Sequence, residues 1–539
     1  MKIKSASLPG ASRLYTDYLL PGEKLQSFYR LPFSNEASFS AQMEEIKKRQ
    51  YPREALVQTL KRQNAYFGAS SKTMENLERL LRKDVGVIIT GQQTGLFGGP
   101  LYVLYKALTA IKLANRLGRT CGSCVVPVFW LASDDADFLE VNHTFVPDKS
   151  FDCRRIGING TSPENTPVAA IYPETQFENA IAEMEASFVD TEFSAELFAA
   201  LRKSYNPQES MSSGFGRWLM HNLRDFGLIL VDPADPEIKQ HLSDIYCREI
   251  EEKSPSTNLV LQTSSRLKDA GYHTQVQLRA SERLNLFYTD PVRLSLQQKS
   301  DAITSTDGSR AFSRQELLTI AQNEPHKLSP NVILRSITQD TIFPTVAYVA
   351  GPSEIAYFAQ LKDVYAHFDV PMPIIYPRKS LTLLDPGIDR ILDKYKMHTS
   401  DLWKDTEQFI TDYTKAHLPS ELMAELLRLK TEMPLEILNQ KEAILRLDPS
   451  LHKMLEVTSG KIHNTLNNLE KKVLQAGKRQ NEVVRTQLHK ASTMLYPMHT
   501  LQERIFNFTP FLNKYGPRFS ERIYEILDIS HNDHQIVRL

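Results

Sequence analysis

Asp134, Asp135, Asp137, Glu140 and His143 follow directly on an apolar run, Val125 to Ala132. That run reads as a buried strand. Carboxylates at the carboxyl end of such a strand can bind an amine, take its proton or hold Mg²⁺. The plainer reading is helix capping, since Asp is a good N-cap and an acidic first turn suits the helix dipole. The residues alone leave these two readings level.

A second candidate lies upstream. Val85 to Thr90 is rich in β-branched residues and reads as a strand buried on both faces. It runs into Gly91-Gln-Gln-Thr-Gly-Leu-Phe-Gly-Gly-Pro100, after which Leu101, Leu104, Tyr105, Leu108 and Ile111 repeat at helical spacing. Strand, glycine turn and helix form the unit that binds ligands at the carboxyl edge of an α/β sheet, and helix-start N–H groups favour an anion there. The glycines match neither a Walker loop nor Gly-x-Gly-x-x-Gly. Gln92 and Gln93 instead offer amides that both donate and accept, which suits a polar or zwitterionic ligand. Gly351-Pro-Ser-Glu354 repeats the strand, Gly-Pro, helix logic after Ile342 to Ala350. Arg378, at the end of Pro373 to Tyr376, could grip a carboxylate with two prongs, although most arginines are simply solvated.

These units must sit in a parallel sheet with right-handed crossovers. Residues 1–84 read as mainly helical, 144–210 as a polar, irregular insertion, and 237–330 as a second insertion with an antiparallel section near Gln275 to Tyr288. After Asp385 strand signals vanish. Ile462, Leu466, Leu469, Val473, Ala476 and Gln480 step by four and three, and Val484, Leu488, Ala491 and Leu495 resume after a stutter. With Leu422 to Leu447 this predicts a helical coiled coil within one chain, across a dimer, or both, broken by Pro419, Pro434 and Pro449. The aromatic tail from Phe506 to Tyr515 is expected to pack back on another domain. The predicted domains are 1–385 (a Rossmann-like core with both insertions), 386–500 (the coiled coil) and 501–539 (the tail).

Composition narrows the function. The chain has 539 residues, with 64 Lys plus Arg against 64 Asp plus Glu, so neither nucleic acid nor a membrane surface is expected as main partner. The N-terminus lacks a signal-peptide core and no apolar run approaches the about 18–20 residues that span a bilayer, so a cytoplasmic protein is expected. Cys121-Gly-Ser-Cys124 has redox or zinc spacing, but no second pair follows. His143 would give a third zinc ligand and no fourth can be named, so no metal is predicted.

Several motifs carry a resemblance along the whole length. Gly91 to Tyr102, Phe129 to Phe138, Gly351 to Tyr357 and Pro371 to Arg378 resemble the bacillithiol biosynthesis cysteine-adding enzyme family. Arg335, Gln339-Asp340, Gln502-Glu503-Arg504 and His534 to Leu539 fit it as well. The resemblance implies a Rossmann-like core related to class I aminoacyl-tRNA synthetases, with two connecting-peptide insertions and a C-terminal coiled coil that forms a homodimer. It implies a ligase that joins cysteine to the amine of glucosaminyl malate. ATP or ADP is the implied cofactor, with the reaction either ATP-linked or ATP-independent, and the family has a further nucleotide pocket near its coiled coil. On this basis Asp135 and Asp137 are expected to bind or deprotonate an amine. Gly91, Gln92, Gln93, Thr94 and Arg378 are expected to hold substrate, and Arg335, Gly351, Glu354 and Tyr357 to line the same pocket. Where the family reads Glu-Asp-His-Asp, this chain has Asp134-Asp135-Ala136-Asp137. His143 is then the candidate replacement, and a non-catalytic or divergent member is the alternative reading.

Overall fold

In a computed structural model the structure describes residues 1–20, 23–120, 124–160, 162–278, 283–299, 302–403, 406–417, 420–480 and 482–539. The expected parallel sheet is present. We label its strands β1 (Gly86–Gln92), β2 (Val125–Leu131), β3 (Ile229–Val231), β4 (Thr345–Ala350) and β5 (Ile374–Pro377). Helix α1 (Leu101–Thr120) follows β1, α2 (Val332–Ile342) precedes β4, and α3 (Pro352–Phe358) follows it. The strand order is β5-β4-β1-β2-β3, and every neighbouring pair is parallel.

Apolar runs without alternation produce this sheet because helices cover both faces. Val87 and Ile89 join Val126, Val128 and Trp130 in one cluster, whereas Ile88 packs with Leu113, Ala114 and Leu117 of α1 in the other. Ile88 is fully buried, so cutting it to Ala would cost about 2–5 kcal/mol. The chain winds outward through β1, β2 and β3, then returns to lay β4 on the opposite side of β1. The point where winding reverses, between β1 and β4, is where such sheets leave a crevice beyond their carboxyl ends.

The insertions are more ordered than the sequence predicts. Residues 144–210 hold most of a hairpin, His143–Pro147 against Cys153–Gly157, and the helices Thr175–Ser187 and Ser194–Ser204. Phe177, Ala180, Ile181 and Met184 are buried at helical spacing. The prolines that made this region look irregular all precede the first helix. The second insertion carries a five-stranded antiparallel sheet from Arg283–Thr289 to Leu328–Pro330, wider than the expected section.

The chain forms two compact units. One comprises residues 1–383 with 500–537, the other 384–499 with 538–539. In the first, the tail threads against the glycine turn. Asn507 Nδ2 donates to the carbonyls of Phe97 (2.9 Å) and Gly99 (2.8 Å), and Leu101 N donates to Phe506 O (2.8 Å). Gly98 has φ +94°, and any Cβ there would stand 2.5 Å from the Phe508 ring, so only glycine fits.

In the second unit the helix Ser420–Asn439 packs on His452–Gln480, with Lys430 and Glu470 paired at 2.7 Å. Pro434 lies inside the first of these helices and does not end it; Pro419 lies outside the described residues. Leu466 is buried, yet Leu469 of the same predicted seam is 45% exposed. Leu488, Ala491 and Leu495 are buried along Glu482–Leu495.

Candidate functional site

A cleft of about 810 Å³ opens at the switch point, wholly within the first unit. Gly91, Gln92 and Gln93 form its floor at the end of β1. Gly91 has no room for a side chain, since a Cβ would stand 2.8 Å from Trp130 O on β2. The glycine therefore lets the two strand ends close up, and the acidic segment comes to lie beside the turn. Gln93 Nε2 donates to Asp135 Oδ2 (2.7 Å) and to Glu140 Oε2 (3.0 Å).

Each carboxylate of that segment is differently placed. Asp134 accepts from Lys239 Nζ at 2.5 Å, and Lys239 is buried. Asp135 lines the cleft and also accepts from Ala136 N (2.8 Å) and Arg293 Nη1 (3.4 Å). Arg293 comes from the insertion sheet, lies 3.7 Å over the Phe287 ring and donates to Ser329 Oγ and Pro330 O. Asp137 starts the short helix Phe138–Val141 without a side-chain cap bond and is not on the cleft wall. Burial first, then Asp135 and Glu140, raise its pKa. His143 begins the hairpin with Nδ1 2.9 Å from Asn142 Oδ1 and is also off the wall. Burial, and then Arg155, lower its pKa. Thr94 is fully buried behind the turn, and its hydroxyl has no hydrogen-bond partner among the described residues.

The opposite side of the cleft is cationic. Lys106 of α1, 2% exposed, donates to Gly91 O (2.6 Å), Gln92 Oε1 (3.0 Å) and Glu354 (2.6 Å). An ammonium has three protons, so Lys106 is fully committed. It pins the β1 turn to α3 across the switch point. Burial lowers its pKa against the pull of Glu354, and nearby Arg378 and Arg335 lower it further. Glu354 also accepts from Gly351 N (2.7 Å) and Tyr348 OH (2.8 Å), so it caps α3 and neutralises Lys106. Arg335 of α2 donates to Gln339 Oε1, Ser336 Oγ and Tyr357 OH. Burial pushes the Tyr357 phenol up to about 12. Arg378 donates to Lys379 O (2.9 Å) and to Glu503 Oε1 (2.7 Å), a buried partner from the tail that also accepts from Ser380 Oγ and Leu381 N. Arg378 holds Glu503 in its ionised form although burial opposes this. Arg504 reaches the cleft beside it, and Arg283 lines the wall given by the insertion sheet.

The structure thus gathers Asp135, Gly91, Gln92, Gln93, Arg335, Gly351, Glu354, Tyr357 and Arg378 around one cleft and leaves Asp137, His143 and Thr94 off it. Sequence reasoning missed Lys106, Lys239 and Arg293. Lys106 did carry a signal: it is a charge inside a helix stretch that is otherwise apolar on almost every side. Among the described residues no three His, Cys, Asp or Glu side chains gather as a metal site. Cys121, half of the Cys-x-x-Cys pair, lies outside the described residues.

Comparison with known proteins gives two domain matches. Residues 1–379 match the model described as bacillithiol biosynthesis BshC, N-terminal Rossmann-like domain. Residues 381–539 match bacillithiol biosynthesis BshC, C-terminal coiled-coil domain. That second match includes tail residues that fold with the first unit here. Among similar curated proteins, one from Chlorobaculum tepidum is 33% identical over 98% of this chain and 97% of its own length. One from Koribacter versatilis is 32% identical over 95% of both, and one from Salinibacter ruber 31% identical over 99% and 97%. All three are named "Putative cysteine ligase BshC".

Proposed function

The chain belongs to the bacillithiol biosynthesis BshC family, and from that premise we propose that it is a ligase joining the carboxyl of cysteine to the amine of glucosaminyl malate. One observation carries the reading: the cleft is polarised. At the β4–β5 side Lys106, Arg335, Arg378 and Arg504 gather; Lys106 pairs with Glu354 and Arg378 with Glu503, while Arg335 and Arg504 have no ion pair among the described residues. At the β2 side the carboxylates Asp134, Asp135 and Glu140 gather, with Asp134 paired to Lys239 and Asp135 to Arg293, and Arg283 stands farther along the insertion-sheet wall. A substrate with acid groups at one end and an amine at the other is oriented by such a field.

The residues divide the work. Asp135, fixed by Gln93 and Arg293, positions the substrate ammonium and accepts its proton as general base, since the attacking amine must be neutral. Gln92 keeps one amide N–H for an acyl oxygen, and Gln93, whose two N–H groups are taken by Asp135 and Glu140, offers its carbonyl to sugar hydroxyls. Lys106 and Glu354 hold the floor rigid and take no part in proton transfer, because their bonds are already used. Forming an amide from a free carboxylate requires the carboxyl to be activated. ATP is the proposed co-substrate and supplies that leaving group, and the cationic end is the wall suited to its phosphates. The cytoplasm is the proposed location; no helix among the described residues is long and apolar enough to cross a membrane.

The test is an assay of purified protein with cysteine, glucosaminyl malate and ATP, each alone and all together. Product formed only with all three supports the reading; product without ATP removes the nucleotide from it. A binding-only role is the second reading, favoured by Ala136 where the family motif has histidine. Retained binding of glucosaminyl malate without any turnover would select it.

A further inference from the structure

The cationic end of the cleft has an unequal membership. Arg378 and Arg335 are anchored: Glu503 and Lys379 O hold the first, and Gln339, Ser336 and Tyr357 hold the second. Arg504 is different. It is exposed, it lines the cleft, and its side chain makes no hydrogen bond or ion pair with another described residue. It stands next to Glu503 in a tail segment whose course is fixed on both sides. Glu503 binds Arg378 and Leu381 N, and Asn507 binds the glycine turn. Between these cations lies Tyr102. Its ring is 5.7 Å from the Arg378 guanidinium carbon, and its hydroxyl accepts from Gln92 Nε2 at 3.3 Å. That bond leaves the phenol proton free to donate into the cleft. Arg504 and then Arg378 are the two charges that act most on this phenol.

Grouped cations repel one another unless something neutralises them, and of the four here only Lys106 and Arg378 form ion pairs with carboxylates of the described residues. The remaining charge calls for a ligand with two negative charges. An exposed arginine on a fixed tail, aimed at a cleft and without a carboxylate of its own, is the natural contact for it.

We propose that Arg504, Arg378, Arg335 and Tyr102 form an oxyanion subsite for a dianionic ligand end, with Arg504 as the arm that distinguishes two charges from one. This deepens the ligase reading and rests on it only for the identity of the ligand. Two sources share the chemistry: the paired carboxylates of a malate group and the phosphates of a nucleotide.

Calorimetric titration of the full chain with malate and, separately, with ATP tests the proposal without requiring turnover. Arg504→Gln is expected to weaken one of the two by about tenfold to a hundredfold, the worth of a charge-assisted contact. Arg504→Lys should recover part of that loss. Arg518→Gln, on the same tail but paired with Glu521 away from the cleft, should change nothing. Weaker malate binding names the carboxylates as occupant, and weaker ATP binding names the phosphates. Unchanged binding of both, or wild-type protein that binds neither, overturns the subsite. A wild-type protein that binds malate through Arg504 yet never joins cysteine to the amino sugar would sink the ligase reading and leave the subsite standing. If turnover occurs, Arg504→Gln should raise KM for whichever of glucosaminyl malate and ATP the titration selects and leave KM for cysteine within a few-fold.

Discussion

Asp135 and Asp137 are two residues apart and have different surroundings. Asp135 is a fixed charge on the cleft wall, held by Gln93 and Arg293. Asp137 is largely exposed, off the wall, and made less acidic by partial loss of solvent around its carboxyl and by its acidic neighbours. We therefore expect Asp135→Asn to lower kcat/KM by roughly 10²-fold or more, the usual scale for loss of a general base. Asp137→Asn and His143→Ala should stay within a few-fold of wild type. Steady-state kinetics with cysteine, glucosaminyl malate and ATP decide it, and a collapse confined to Asp137→Asn would move the chemistry to the helix start. Lys106 gives a prediction of a different kind. Lys106→Met leaves Glu354 facing the cleft without its cation, and breaking one side of a buried pair costs about 3–5 kcal/mol. Urea denaturation should show that loss. Because Glu354→Gln removes the stranded charge, the double variant should be less destabilised than the sum of the singles.

Helix α2 shows how an element carries a site residue and roots it. Arg335 faces the cleft one turn before Gln339, whose amide donates to Asp340 Oδ1 at 2.9 Å. Asp340 also accepts from Thr345 and Tyr365, and burial pushes its carboxyl from the ordinary 3.8 up to about 6. A raised folded pKa means that the fold prefers the protonated form. The contribution is complete below about pH 4 and is lost as pH rises through about 6, an effect of about 3 kcal/mol. Asp232, pushed up to about 6, and Glu249, pushed up to about 7, act with the same sign and remain in an Asp340 variant. Asp340→Asn keeps the acceptor for Thr345 and removes the titration. Its unfolding free energy relative to wild type should therefore rise between about pH 4 and about pH 6 and level off above that, and a constant difference across the window would show that Asp340 does not titrate there. Elements of this kind were partly legible in the sequence. β1 and β4 announce themselves because a β-branched run that ends in glycine has one natural reading, and β2 because its apolar run ends in a cluster of acids. The partners of Lys106, Arg293 and Arg378 were hidden because Glu354, Asp135 and Glu503 are distant in sequence, and charge pairing has no period to detect. The helices of the first insertion were masked by the prolines that precede them.

At the scale of the molecule the open question is what covers the helical unit. Leu427 is 66% exposed on the helix Ser420–Asn439, and Val457 (48%) and Leu469 (45%) are exposed on its partner His452–Gln480. Leu466 by contrast is buried within the chain, beside an interior that also holds Leu426 and Leu455. The helix pair thus closes an inner seam and leaves an outer set of apolar side chains to water, the outer seam, in which Leu469 keeps the heptad register of Leu455 and Leu466 and Val457 stands outside it. Apolar side chains repeated along long helices are the geometry in which a second copy packs by knobs into holes. We propose that a second copy covers the outer seam and makes the protein a homodimer. The two seams separate assembly from folding. Leu466→Lys buries a charge inside one chain and should lower stability whatever the oligomeric state. Leu427→Lys with Leu469→Lys places charges only where the second copy would sit. That variant should keep the wild-type circular dichroism spectrum and appear as a monomer of about half the wild-type mass by light scattering. If it stays dimeric, or if the wild-type chain is already a monomer at micromolar concentration, the outer seam is not the interface.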